Sequence, residues 1–445
     1  MEKKQNIKNN NNIKLDIVNL FDEIISKGKY SNIQLNYYFT EKKYTPKEKL
    51  FIKNIVNITL KNLIYVDYLL SKATKNIQKR KIKQLLRIST AQLFFMNSDN
   101  AGIVYEAGEI AKIINKHQVS FVNATLQTIL KNKEKYDSEI PSEKRDGILL
   151  SYPQWFVNKL KIDYPEDYLE IMKSYKDRSY ISVRYNKKVF NKDTFENFVL
   201  SNETEILFSV DEVYTLSNGN ILTTEHFKNG NIVIQDASSY LAVKNLDISD
   251  NDIVLDACSA PGGKSLAILQ TFNPKLLVAT DIHEHKIEML NDLKEKYNYE
   301  NFEIKLNDAT EIEKLNRQFD KILLDVPCSG LGVLRKKPEK IYTLTNDQIK
   351  ELKKLQKKIF SSAYNALKEG GTIVYSTCTF TKNENTNNLE YFLGKYDDLK
   401  VEDVIVPENV KTEKDSSGGI YITYENDFLD GFYIAKLRKA KKMEG

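Results

Sequence analysis

Cys258, Cys328 and Cys378 are the only thiols in 445 residues. Each closes a short apolar run and lies beside Gly, Ser, Thr or Pro, in DACSAPGGKS (256–265), DVPCSG (325–330) and YSTCTF (375–380). A free thiol has a pKa near about 8.5, so only a few per cent is thiolate at neutral pH, yet that thiolate is a strong nucleophile. A single cysteine in such a place is usually a small buried hydrophobe. Three, all in the same kind of place, argue for chemistry. No C-x-x-C pair occurs, and His117, His226, His283 and His285 do not join the cysteines at zinc-ligand spacing, so no metal is expected.

The first motif follows a strand-like run and opens a helix. Gly262 and Gly263 would let backbone N–H groups approach a ligand closely. Two readings compete. CSAPGGKS (258–265) fits a phosphate-binding loop except that Cys258 replaces the first Gly, and KILLD, ending at Asp325, resembles the second nucleotide-hydrolase motif. The other reading is a dinucleotide-like site for S-adenosylmethionine, with an acidic residue at the end of the next strand on the ribose hydroxyls. Asp281 lies 25 residues beyond Asp256, close to the usual spacing of about 20. The hydrolase reading leaves Cys328 and Cys378 without a task.

Carbon 5 of a pyrimidine is a poor nucleophile. Adding a thiolate to carbon 6 makes an enamine whose carbon 5 can attack a methyl sulfonium, so one difficult step becomes two easier ones. The scheme needs a cysteine at the base and a carboxylate near the ring. Cys378 and Cys328, with Asp325 three residues before Cys328, can supply both.

These residues need a scaffold that gathers them. From about residue 230 strands and helices alternate: DIVLDAC, KLLVATDI, FEIKLND, FDKILLDV and GTIVYSTC as strands, with helices between. That order implies a parallel, doubly wound sheet, whose ligands bind at the strands' carboxyl ends. Asp256, Asp281, Asp308, Asp325 and all three cysteines fall at such ends. GFYIAKLRK reads as a last, antiparallel edge strand. Residues 15–135 carry apolar residues at three-and-four spacing and read as a helical bundle. Between them and the sheet, the charged stretch 131–150 reads as a linker, and 180–230 as a small α+β unit. The polar, Asn-rich start reads as a disordered tail.

Charge is uneven. Residues 1–150 hold 26 Lys+Arg against 15 Asp+Glu, and the remainder 40 against 46. Seven basic residues and no acid lie from Lys72 to Arg87. A basic first third suggests a polyanion partner. With no apolar run long enough for a membrane span and no apolar leader, a cytoplasmic protein is expected.

The three cysteine motifs, continued as LLDVPCSGLGVLRKKPE and joined by IVIQDASSYL, SVRYNK and DGFYIAKL, resemble the RNA 5-methylcytosine methyltransferases of the NOL/NOP2/Sun family over roughly 150–440. KIKQLLRISTAQLFFM and VSFVNATLQTIL resemble the antitermination factor NusB. The resemblance implies a multidomain chain: a tail (1–14), an all-α NusB-like RNA-binding bundle (15–145), a small α+β, RNA-recognition-like subdomain (146–230) and an α/β Rossmann-like methyltransferase domain (231–445). It implies Cys378 as the nucleophile on carbon 6, Cys328 in release of methylated RNA, and Asp325 facing the cytosine. S-adenosylmethionine would be bound by Cys258, Ser259, Ala260, Pro261, Gly262, Gly263 and Lys264, with Asp281, Asp308 and Asp325. Arg184 and Asn186 would lie near the site. The implied substrate is RNA, specifically 16S rRNA, free or in an assembly intermediate, and a monomer is expected. A non-catalytic RNA-binding protein of the same layout would bind no S-adenosylmethionine.

Overall fold

A computed structural model describes residues 2–97 and 99–441, with side chains from Ile13 onward. Met1, from the expected tail, Ser98 and residues 442–445 lie outside the described residues.

By its internal contacts the chain forms two units: residues 1–176 with 336–343, and 177–335 with 344–445. The first is helical: α1 (Glu2–Lys27), α2 (Ser31–Glu41), α3 (Pro46–Lys61), α4 (Leu63–Ala73), α5 (Arg80–Phe95), α6 (Asn100–Asn115) and α7 (Val119–Ser138). The backbone of α1 runs back to Glu2, through the segment read as a tail. Spacing makes the bundle. Ile17, Leu20, Phe21 and Ile24 fall on one face of α1 and are buried with Val56 and Leu60 of α3, Leu86 of α5 and Leu126 of α7. Each such side chain contributes about 1.5–3 kcal/mol on full burial. Thr45 and Glu48 form a capping box that, with Pro46, starts α3.

The stretch read as a linker is largely helical. α7 continues to Ser138 and α8 (Arg145–Leu149) follows. Then α9 (Gln154–Asp163) and α10 (Tyr168–Ser174) extend the first unit to Lys176, past residue 145. Ser151 explains the attachment: its Oγ accepts from Ile64 N at 2.7 Å and Tyr65 N at 3.2 Å, capping the open start of α4.

The second unit begins with a small antiparallel sheet: β1 (Ile181–Tyr185), α11 (Lys192–Ser201), β2 (Ile206–Val210), β3 (Val213–Leu216), α12 (Glu225–Lys228) and β4 (Ile232–Ile234), in strand order β2-β3-β1-β4. Phe195 and Val199 of α11 pack with Val183 and Tyr185 on one face. The alternate β1 residues Ser182 and Arg184 are buried as well, at 4% and 1% exposure. Neither side of β1 is therefore open, whereas β2 is only partly buried and Ile234 of β4 is exposed.

After α13 (Ala237–Lys244) the large sheet is laid down: β5 (Ile253–Asp256), α14 (Gly263–Thr271), β6 (Leu276–Asp281), α15 (Glu284–Tyr297), β7 (Phe302–Leu306) and β8 (Phe319–Asp325). Residues 336–343, with α16 (Lys340–Thr343), belong to the first unit. The sheet resumes with α17 (Asn346–Ala366), β9 (Leu367–Thr377), α18 (Thr386–Lys395), β10 (Leu399–Glu402), β11 (Thr412–Lys414), β12 (Ile420–Ile422) and β13 (Phe432–Lys439). The order is β11-β12-β13-β9-β8-β5-β6-β7, with β10 also on β13. The strands from β5 to β9 are mutually parallel. β13 is antiparallel to β9, as its sequence suggests, but it is not an edge, because β12 and β10 pair with it too. From β5 the chain builds outward through β6 and β7, then returns to place β8 on the other side. The carboxyl ends of β5 and β8 thus flank a topological switch point, where doubly wound sheets bind ligands.

Candidate active site

The site is built where β5, β6, β8 and β9 end. Cys328 lies three residues past the end of β8 and Cys378 one residue past β9, and their sulfurs are 3.3 Å apart. Backbone bonds lock the two loops together: Val326 N donates to Ser376 O at 3.2 Å and Gly332 N to Cys378 O at 3.0 Å. A Cβ on Gly332 would meet Gly431 O at 1.9 Å and Cys378 O at 2.9 Å. Backbone on both sides leaves no flexible atom to give way. Gly332→Ala is therefore expected to cost about 1–3 kcal/mol through overpacking, read as a lower Tm, and to part the sulfurs.

A cleft of about 400 Å³ opens beside the thiols. Cys258, Ala260, Asp281, Asp308, Asp325, Cys328 and Cys378 all line it. Asp325 is held from both sides: Lys264 Nζ donates to one oxygen at 2.7 Å and Ser376 Oγ to the other at 2.9 Å. Burial works against the Lys264 ammonium, but the Asp325 carboxylate outweighs it, and the lysine pKa is raised, with Cys378 adding to the effect. The lysine is therefore committed to a carboxylate, unlike a phosphate-loop lysine. Asp281 accepts from His283 N at 3.2 Å and Lys286 Nζ at 3.3 Å. One oxygen of Asp308 accepts from Thr310 N and Oγ1, both at 2.8 Å.

Other residues of the first motif act behind the cleft. Ser259 is buried, and its N–H and hydroxyl both donate to Thr280 O, at 2.9 and 3.1 Å, tying the loop to β6. Gly262 adopts φ +100°, a left-handed conformation natural to glycine, as α14 begins. No atom lies within 4 Å of a Cβ built on Gly263, but none of Gly262, Gly263 and Lys264 lines the cleft. Pro261 precedes that turn and does not line the cleft. Asp256 is fully buried beneath it, accepts from Ser265 Oγ at 2.7 Å, and is pushed by burial up to about 7. Burial likewise pushes the Cys258 thiol far up, which disfavours its thiolate.

Arg184 and Asn186 do not line the cleft. Arg184 is linked instead to the start of α14: its Nε donates to Gln235 Oε1 at 2.6 Å, and Gln235 Nε2 donates to Gly263 O at 3.4 Å. Lys286, Asn307, Leu355 and Ile359 line the cleft without having been singled out in the sequence, as does His283, which the sequence sets aside as no zinc ligand. The Ile-His that follows Asp281, and helical spacing from Leu355 to Ile359, were the available signals. Glu384, four residues after Phe380, is buried behind the two cysteine loops and was not singled out either.

In the first unit the basic run is partly spent. Lys72 pairs with Glu139 at 2.9 Å, Arg80 with Asp22 at 2.9 Å, and Arg87 with Asp67. Lys75, Lys79, Lys81 and Lys83 have no carboxylate within ion-pair distance among the described residues. Among the described residues there is also no cluster fit to hold a metal ion, and no helix is long and apolar enough to cross a membrane.

Residues 243–438 match the family model for 16S rRNA methyltransferase RsmB/F, and residues 13–131 match that of the NusB family. The chain is 31% identical to the "Probable ribosomal RNA small subunit methyltransferase B" of Bacillus subtilis (strain 168), over 92% of this chain and 95% of that one. It is 30% identical to the ribosomal RNA small subunit methyltransferase B of Shewanella oneidensis, over 82% and 83%. The crystal structure of PH0851 shares the fold, with TM-score 0.78 at 21% identity over 96% of this chain and 98% of that chain.

Proposed function

The chain belongs to the ribosomal RNA small subunit methyltransferase B family, and from that membership we propose that it methylates carbon 5 of a cytosine in 16S rRNA through a covalent cysteine adduct. The observation that carries the reading is the pair of sulfurs 3.3 Å apart at a cleft that also holds Asp281, Asp308 and Asp325.

S-adenosylmethionine, when bound, supplies an electrophilic methyl group. The residues present fit it: at the cleft Asp281 can accept from ribose hydroxyls and Asp308 keeps an oxygen for the base side. The target cytosine must leave its stack to enter. Cys378 then adds as thiolate to carbon 6, and carbon 5 becomes nucleophilic. Asp325, fixed by Lys264 and Ser376, orients the ring. After carbon 5 takes the methyl group, its proton must leave before the carbon 6–sulfur bond can break. Cys328, beside Cys378, takes that proton, the electron pair forms the carbon 5–carbon 6 double bond, and Cys378 departs as thiolate. Bisulfite sequencing of 16S rRNA from a strain lacking this protein tests the reading. One cytosine protected in the parent becomes convertible; an unchanged protection pattern contradicts the proposal.

The helical unit holds RNA through phosphates, by way of the unspent lysines. Replacing Lys79, Lys81 and Lys83 together with Ala is expected to weaken binding evenly across RNA sequences and to lower the salt slope of log K by about 2–3. Filter binding over a potassium chloride series measures it.

A further inference from the structure

The residues that follow the two cysteines touch. Ser329 Oγ, next to Cys328, lies 2.8 Å from Thr379 Oγ1, next to Cys378. Behind them is Glu384, wholly buried. One of its oxygens accepts from Ser329 N at 2.9 Å and Gln356 Nε2 at 3.1 Å. The other accepts from Ser329 Oγ at 2.6 Å and Thr381 Oγ1 at 2.7 Å. Among the described residues, no basic side chain lies within ion-pair distance of this carboxylate. A buried carboxylate is costly unless every lone pair is answered, and here four donors answer it. Two of the four come from Ser329.

The next residue does a different job. Asn385 accepts from Thr377 Oγ1 at 2.7 Å and donates to Thr379 O at 2.9 Å, so it fastens the Cys378 loop to itself. The neighbouring side chains thus divide the work. Asn385 shapes the loop of one sulfur, and Glu384 fastens the loop of the other to it.

We propose that Glu384 is a positioning residue for the release half of the reaction: through Ser329 it holds the Cys328 sulfur against the adduct formed on Cys378. The proposal rests on the covalent mechanism above. Formation of the adduct needs Cys378 alone, whereas its breakdown needs Cys328 within proton-transfer distance, so loosening Glu384 should separate the two steps.

The test is single-turnover kinetics on unmodified 16S rRNA transcript with S-adenosylmethionine, following the protein–RNA adduct on denaturing gels. In Glu384→Gln, an amide replaces one accepting oxygen, and the hydroxyls of Ser329 and Thr381 lose their shared acceptor. Adduct formation should stay within about twofold of the parent, while release slows about tenfold, as expected for one lost charge-assisted hydrogen bond. Ser329→Ala removes the same bond from its other end and should show the same split, which decides the matter if Glu384→Gln does not fold. Formation and release falling by equal factors would reduce Glu384 to general support and overturn the proposal, as would unchanged release in both variants. A parent protein that forms no adduct at all would instead bring down the covalent reading itself.

Discussion

Cys378→Ala is expected to abolish methyl transfer while leaving S-adenosylmethionine binding intact. The alanine removes the group placed to add to carbon 6, and without that addition carbon 5 stays unreactive. Nucleophile deletions typically cost on the order of 10⁴-fold or more, because the remaining groups cannot replace the covalent route. Binding should survive because Asp281, proposed to hold the ribose, ends another strand and makes no bond to the Cys378 side chain. Calorimetry with S-adenosylmethionine and a methyl-transfer assay on 16S rRNA read the two halves separately. Lost binding together with lost transfer would mean that the substitution had collapsed the loop instead of removing a nucleophile.

Cys328→Ala has the opposite signature. The adduct should form, the methyl group should be transferred, and the enzyme should then remain attached to its RNA, visible as a shifted gel band. Loss of a positioned proton acceptor slows such a step by about 10²–10⁴-fold. The 3.3 Å separation of the sulfurs makes the expectation specific, since it sets the Cys328 sulfur directly beside the atom that must leave carbon 6. Normal turnover in Cys328→Ala, with trapping in Cys378→Ala, would reverse the two roles.

Much of this site is legible in the sequence because its parts sit at strand ends. A strand that stops at a small or turn-forming residue announces its own carboxyl end, and Asp256, Asp281, Asp325 and Cys378 mark four of them in this way. The parallel order then brings those ends to one edge of the sheet without any knowledge of side-chain contacts. Glu384 escapes such reading. It stands in the polar run TKNENTNN, which looks like an exposed loop, and it is buried only because Gln356 and Ser329, far away in the chain, close over it. The strands β10, β11 and β12 escape for another reason. They have three or four residues each, too few for an alternating pattern, and β11 reads TEK. Missing them made β13 look like an edge. The stretch 131–150 misleads through its charge: the Lys and Glu of KNKEKYDS are the solvent side of α7, whose inner side carries Tyr136. A helix with a charged outer face and few apolar residues resembles a linker until its partner is seen.

Cys378, and not Cys328, is proposed to bond to the base. Mass spectrometry of the adduct trapped in Cys328→Ala, after protease and nuclease digestion, tests it most directly. A methylated cytidine attached to the peptide that contains YSTCTF, at Cys378, is the expected species. A nucleotide attached at any other residue, or no covalent species under conditions where the parent protein methylates its RNA, would contradict it.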